Sequence, residues 1–128
     1  MQATNGLIPE SRALSAEERE LTKWLVEHSG TDSSEFLAQI DKLTVASKCN
    51  CGCPTVYFVV IGQEPSRESE VILADYLATV NEHPVGVMLF QRGGLLSSLE
   101  VYSCDGIPKS FDLPKIDSLR PLDSPPQE

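Results

Sequence analysis

The sequence predicts an α+β fold: two N-terminal helices packed on an antiparallel sheet of four to five strands, followed by a Pro-rich extended C-terminal tail. Three observations carry that expectation. Apolar residues recur at helical spacing between residues 15 and 40, the period shortens to two from Leu43 onward, and five of the nine prolines fall in the last 21 residues. Helices followed by a run of strands is the order of an α+β domain.

Residues 1–14 hold Gly6 and Pro9 and no periodic apolar pattern, which predicts an irregular N-terminal arm ahead of a single α+β domain over residues 15–107. Ser15-Ala16-Glu17-Glu18 reads as a capping box, with the serine hydroxyl serving the amide three residues on and Glu18 reaching back. Leu21, Trp24, Leu25 and His28 then fall on one helical stripe, and Gly30 supplies the stop. Asp32 to Glu35 reads as a second capping box, followed by the stripe Phe36, Leu37 and Ile40.

From Leu43 alternate residues share a face, which predicts a strand ending near Cys49. Thr55 to Ile61 is rich in β-branched and aromatic side chains and predicts a second, more buried strand. Asn50 to Pro54 has the length of a hairpin connection, and Gly62 to Ser69 is a polar loop. Glu70 to Val80 fits both periods, since Val71, Leu73 and Leu77 suit a strand while Ile72, Tyr76 and Val80 recur every four residues; the strand reading is preferred. Pro84 to Gln91 and Leu95 to Cys104 are antiparallel partners across Arg92-Gly93-Gly94. The proline density of residues 108–128 predicts an extended tail. Phe111, Leu113, Ile116 and Leu119 are able to pin its first half to the body.

Ten basic against 19 acidic side chains give a net charge of −9 and a pI near 4.6. That sign opposes nucleic acid, whose binding rests on Lys and Arg displacing counterions, and it opposes anionic lipid. The apolar runs are strand-length, far short of the roughly 20 residues of a spanning helix. The first residues lack the basic and apolar regions of a signal peptide, which predicts a cytoplasmic protein. The acidity concentrates in residues 15–43 and 63–83, either as solvated faces or as surfaces for a protein partner with a basic surface.

Three of the four cysteines fall within Cys49-Asn50-Cys51-Gly52-Cys53. In a reducing compartment such a cluster binds metal, acts in redox chemistry or is simply buried. Tetrahedral zinc takes four ligands with sulfur about 2.3 Å from the ion. Cys49, Cys51 and Cys53 supply three at one turn, Cys104 is the candidate fourth, and His28 or His83 are substitutes. A redox dithiol is usually Cys-x-x-Cys at a helix N-terminus, a spacing and context absent here. A cysteine nucleophile would need one of the two histidines beside it. No phosphate-binding glycine loop, nucleophile elbow or His-Glu-x-x-His is present, so no catalytic residues are nominated.

Cys51-Gly52-Cys53-Pro54-Thr55, Pro84 to Phe90, Leu99-Glu100-Val101-Tyr102 with Asp105-Gly106, and Leu119-Arg120-Pro121 together resemble a small bacterial domain family of unknown function. The resemblance covers most of the chain and implies no activity. In size, acidity and architecture the chain is also similar to the immunity partners of bacterial toxins, which implies binding rather than catalysis. Three readings follow: a non-enzymatic protein-binding module with acidic surfaces, a zinc-binding domain with its cysteines at a hairpin tip, and a small cysteine-dependent enzyme.

Overall fold

The computed structural model describes residues 7–30, 33–105 and 110–121. Strand β1 (Leu7–Ala13) comes first, followed by helices α1 (Ala16–Glu27) and α2 (Ser34–Ile40). Strands β2 (Leu43–Cys49), β3 (Val56–Val60), β4 (Glu70–Val80), β5 (His83–Arg92) and β6 (Leu95–Ser103) come next. A 3-10 turn (Ile116–Ser118) and the short strand β7 (Arg120–Pro121) close the described chain. All seven strands form one antiparallel sheet in the order β1-β2-β3-β6-β5-β4-β7.

The expectation of four to five strands beneath two N-terminal helices is therefore corrected. The sheet has seven strands, and one of them precedes the helices, in the segment expected to be an irregular arm. Both additional strands lie at the sheet's edges and both carry a proline, which an edge tolerates because only one side of the strand must donate to the ladder. In β1 the pairing also shifts register between Pro9 and Arg12, so no alternation is visible in its sequence. β7 is two residues long, too short to have a period. A bulge explains the double reading of β4: the pairing shifts between Ile72 and Ala74, leaving Leu73 unpaired and exchanging the faces of the residues on either side.

Helix α1 begins on the predicted capping box. Ser15 Oγ accepts from the Glu18 amide at 3.1 Å, and the Ser15 amide donates to Glu18 Oε1 at 2.8 Å. Glu18 is buried, and Arg12 from β1 meets its two carboxylate oxygens at 2.9 and 3.0 Å, so the edge strand is fastened to the helix start. Burial pushes the Glu18 carboxyl upward, but the Arg12 guanidinium and the Ser15 amide outweigh it and hold the group below the usual carboxylate range. The expected second capping box rests on Asp32, which lies outside the described residues; Ser33, which precedes α2, is in helical conformation and makes no side-chain cap.

Leu21, Leu25 and Val26 of α1 and Ile40 of α2 cover one face of the sheet, where they meet Val45, Phe58, Leu89 and their neighbours in a continuous core. Phe111, Leu113, Ile116 and Leu119 pack against the same core, so residues 111–119 of the Pro-rich segment are docked on it. Tyr76 locks α1 to β4 by donating to His28 O at 2.9 Å and setting its ring edge-on to Trp24. Gln39 is the corresponding clamp for α2. Its side chain is buried, donates to Gly94 O at 2.7 Å and accepts from the Leu96 amide at 2.9 Å. Gln39→Leu leaves that amide without an acceptor, so a loss of about 1–3 kcal/mol of unfolding free energy is expected in urea denaturation.

The opposite face of the sheet carries no helix among the described residues. The row Asp75–Met88–Glu100 runs across β4, β5 and β6 there, with Phe90 and Tyr57 in the neighbouring row. Burial pushes the Asp75 carboxyl up, and burial with the nearby charge of Glu70 does the same to Glu100. A carboxyl raised by folding contributes stability that is fully present below its unfolded pKa and lost as pH rises through the folded one. Asp75→Asn and Glu100→Gln are therefore expected to match the parent near pH 3 and to exceed it at pH 7, as thermal denaturation at both pH values would show. No helix among the described residues is long and apolar enough to cross a membrane.

Candidate metal centre

The β2–β3 hairpin is built so that its connection curls the three thiols together. Pairing runs up to the Cys49 amide, which donates to Thr55 O at 3.2 Å, and the residues between make the turn. Gly52 sits at φ 99°, a conformation that side chains disfavour and that reverses the chain between Cys51 and Cys53. Cys51 Sγ lies 2.9 Å from both Cys49 Sγ and Cys53 Sγ, and all three sulfurs fall within 4.8 Å of one another. The thiols are free, Cys51 is exposed, and its two companions are half-buried.

Backbone amides point into this cluster. The Cys51 amide approaches Cys49 Sγ at 3.4 Å and the Cys53 amide approaches Cys51 Sγ at 3.3 Å. Donors of this kind to sulfur are a regular part of thiolate–metal sites. Around a tetrahedral ion with metal–sulfur bonds of about 2.3 Å, neighbouring sulfurs stand roughly 3.8 Å apart, so each close pair here must open by about an ångström to admit zinc. The turn, with its glycine and exposed central cysteine, is the part of the hairpin able to make that adjustment.

Beneath the turn the supports are firm. Thr55 is buried, and its Oγ1 donates to Val101 O at 3.1 Å and accepts from the Val101 amide at 2.9 Å. The β3–β6 ladder has only the register pairs Val56–Leu99 and Tyr57–Ser98, so the threonine side chain supplies the bonds that a further rung would have made. Thr55 Oγ1 is also 3.4 Å from Cys53 Sγ, which ties the last cysteine to the sheet. On the other side, Gly52 O accepts from the Phe111 amide at 3.4 Å. The Tyr57 hydroxyl is pushed up by burial and then by the charge of Glu100, with smaller contributions from Cys49 and Cys53.

The other sequence candidates stand apart. Cys104, exposed just beyond β6, donates its amide to Pro84 O at 2.9 Å and is not a member of the three-thiol group. His83 Nδ1 faces Asp105 Oδ2 at 3.3 Å, and His28 stacks on Trp24 with 3.8 Å between ring centroids. Neither imidazole joins the cluster. An open cleft of about 1010 Å³ between the first turn of α1, the hairpin and residues 111–118 is lined by Cys53, Glu17, Lys48 and Lys115. It gives Cys53 access to solvent.

Sequence reasoning found the three cysteines and missed Thr55. A threonine directly after a proline at a strand start gives no sign that it will replace a rung of the sheet. No family model, curated protein or solved structure matches the chain.

Proposed function

We propose that the β2–β3 hairpin is a thiolate metal site, with Cys49, Cys51 and Cys53 as its protein ligands and zinc as the ion. The observation that carries this reading is the meeting of three sulfurs within 4.8 Å at an accessible turn. Zinc suits it because the ion accepts three protein ligands and leaves a fourth position to water or an incoming donor, the arrangement of sites that exchange ligands. Binding needs the thiolate forms and so releases protons. The cysteine-nucleophile reading has less support, since neither imidazole joins the cluster.

A competition titration of the reduced protein against a chromophoric chelator tests the proposal. One zinc ion per chain is expected to be withdrawn from the chelator, with affinity rising as pH increases from about 6 to 8 because fewer protons must leave the thiols. Failure to compete at any pH in that range would count against it.

A further inference from the structure

We propose that the sheet face on which no described helix lies docks a basic amphipathic helix of another protein, laid across β4, β5 and β6 along the row Asp75–Met88–Glu100. The row is set by direct cross-strand pairing, Asp75 with Met88 and Met88 with Glu100. Its apolar walls are Phe90 and Tyr57 on one side and Tyr102 on the other. Tyr102, 41% exposed, lies so close over Gly86 that a methyl group there would sit 2.1 Å from the ring's Cζ. The aromatic ring therefore borders the row because the opposing residue has no side chain.

Charge selects the occupant. Among the described residues no cation pairs with Asp75 or Glu100, and Asp75 Oδ1 is buried with no hydrogen-bond partner. Glu70, by contrast, is already met by Arg92 at 3.4 Å and by Ser97 Oγ at 3.0 Å. Half-buried carboxylates without a cation destabilise the isolated fold and gain most from a partner that brings one. Two strand spacings separate Asp75 from Glu100, about 10 Å. Lys or Arg at positions i and i+7 of a helix stand about 10.5 Å apart, with apolar residues between them to cover Met88.

Other occupants complement the face poorly. A two-fold contact between copies of this chain would set these carboxylates against their own kind. Residues 122–128 hold Asp123 and Glu128 and no cation.

The test uses a Leu/Lys amphipathic peptide of about 18 residues with lysines at i and i+7, a Leu/Glu peptide of the same pattern, and the full chain. Fluorescence anisotropy should show saturable binding of the Leu/Lys peptide alone, and amide chemical-shift changes should fall on β4, β5 and β6. Asp75→Asn/Glu100→Gln should weaken that binding at least about tenfold, while the charge-matched Glu17→Gln/Glu20→Gln on exposed α1 positions leaves it unchanged. An equal loss in both variants, shifts confined to α1, equal binding of the Leu/Glu peptide, or self-association through this face in sedimentation would each overturn the proposal.

Discussion

Replacing Cys51 with serine is expected to weaken zinc binding by more than about a hundredfold, while Cys104→Ser leaves it unchanged. Loss of a group that merely orients a ligand typically costs 10–100-fold in metal affinity, and loss of a ligand itself should exceed that. Cys51 is the most informative position because its sulfur is the only one within 2.9 Å of both others. It is also exposed, so the substitution should leave the fold intact, and the circular dichroism of the variant should match the parent's. Cys49→Ser and Cys53→Ser are expected to show the same loss. If Cys104→Ser weakened binding as much as Cys51→Ser, Cys49, Cys51 and Cys53 would not be the full set of protein ligands.

Thr55→Val is expected to cost about 2–4 kcal/mol of unfolding free energy, because it removes one hydroxyl that satisfies both the amide and the carbonyl of Val101. Each backbone group left buried without a partner costs about 1–3 kcal/mol. Valine has nearly the same shape, so packing is preserved and the loss isolates the hydrogen bonds. In a domain of this size that corresponds to a fall in melting temperature on the order of 10 °C. Thr55→Ser, which keeps the hydroxyl, should recover most of it. The same substitution reaches the metal site, since Thr55 anchors Cys53 and ends the register that brings Cys49 back beside it. Zinc affinity should therefore fall with Thr55→Val even though no ligand is altered.

The readable parts of this fold were those whose interactions are local. The Ser15–Glu18 capping box involves residues three apart and forms as read. The gathering of the three cysteines follows from their i, i+2, i+4 spacing around one glycine-containing turn. Long-range pairing accounts for what was missed. β1 owes its conformation to the ladder with β2 and to the Arg12–Glu18 contact, neither of which appears in the pattern of Leu7–Ala13. The bulge at Leu73 mixes two parities in one strand, which a fixed period cannot represent. Whether Cys104 would join the cluster depended on where β6 ends relative to the hairpin, a question of sheet register rather than of sequence spacing. The acidity of residues 63–83 was visible, but its partition was not. The fold turns Glu70 and Asp75 onto one sheet face and adds Glu100 from a segment that is neutral overall.

The two proposed sites make different demands. The hairpin needs reduced thiols and an ion, whereas the sheet face needs only a partner of opposite charge. Removing the metal should leave binding at Asp75 and Glu100 in place, and neutralising those carboxylates should leave zinc affinity unchanged.

The metal reading is tested most directly by elemental analysis of the full chain purified in reductant, exposed to zinc and freed of excess ion by gel filtration. The account predicts close to one zinc per chain, removed by a strong chelator and absent from the Cys49→Ser/Cys51→Ser/Cys53→Ser variant treated in the same way. Less than about a tenth of an ion per chain in the parent protein, or equal loading of the triple variant, would contradict it.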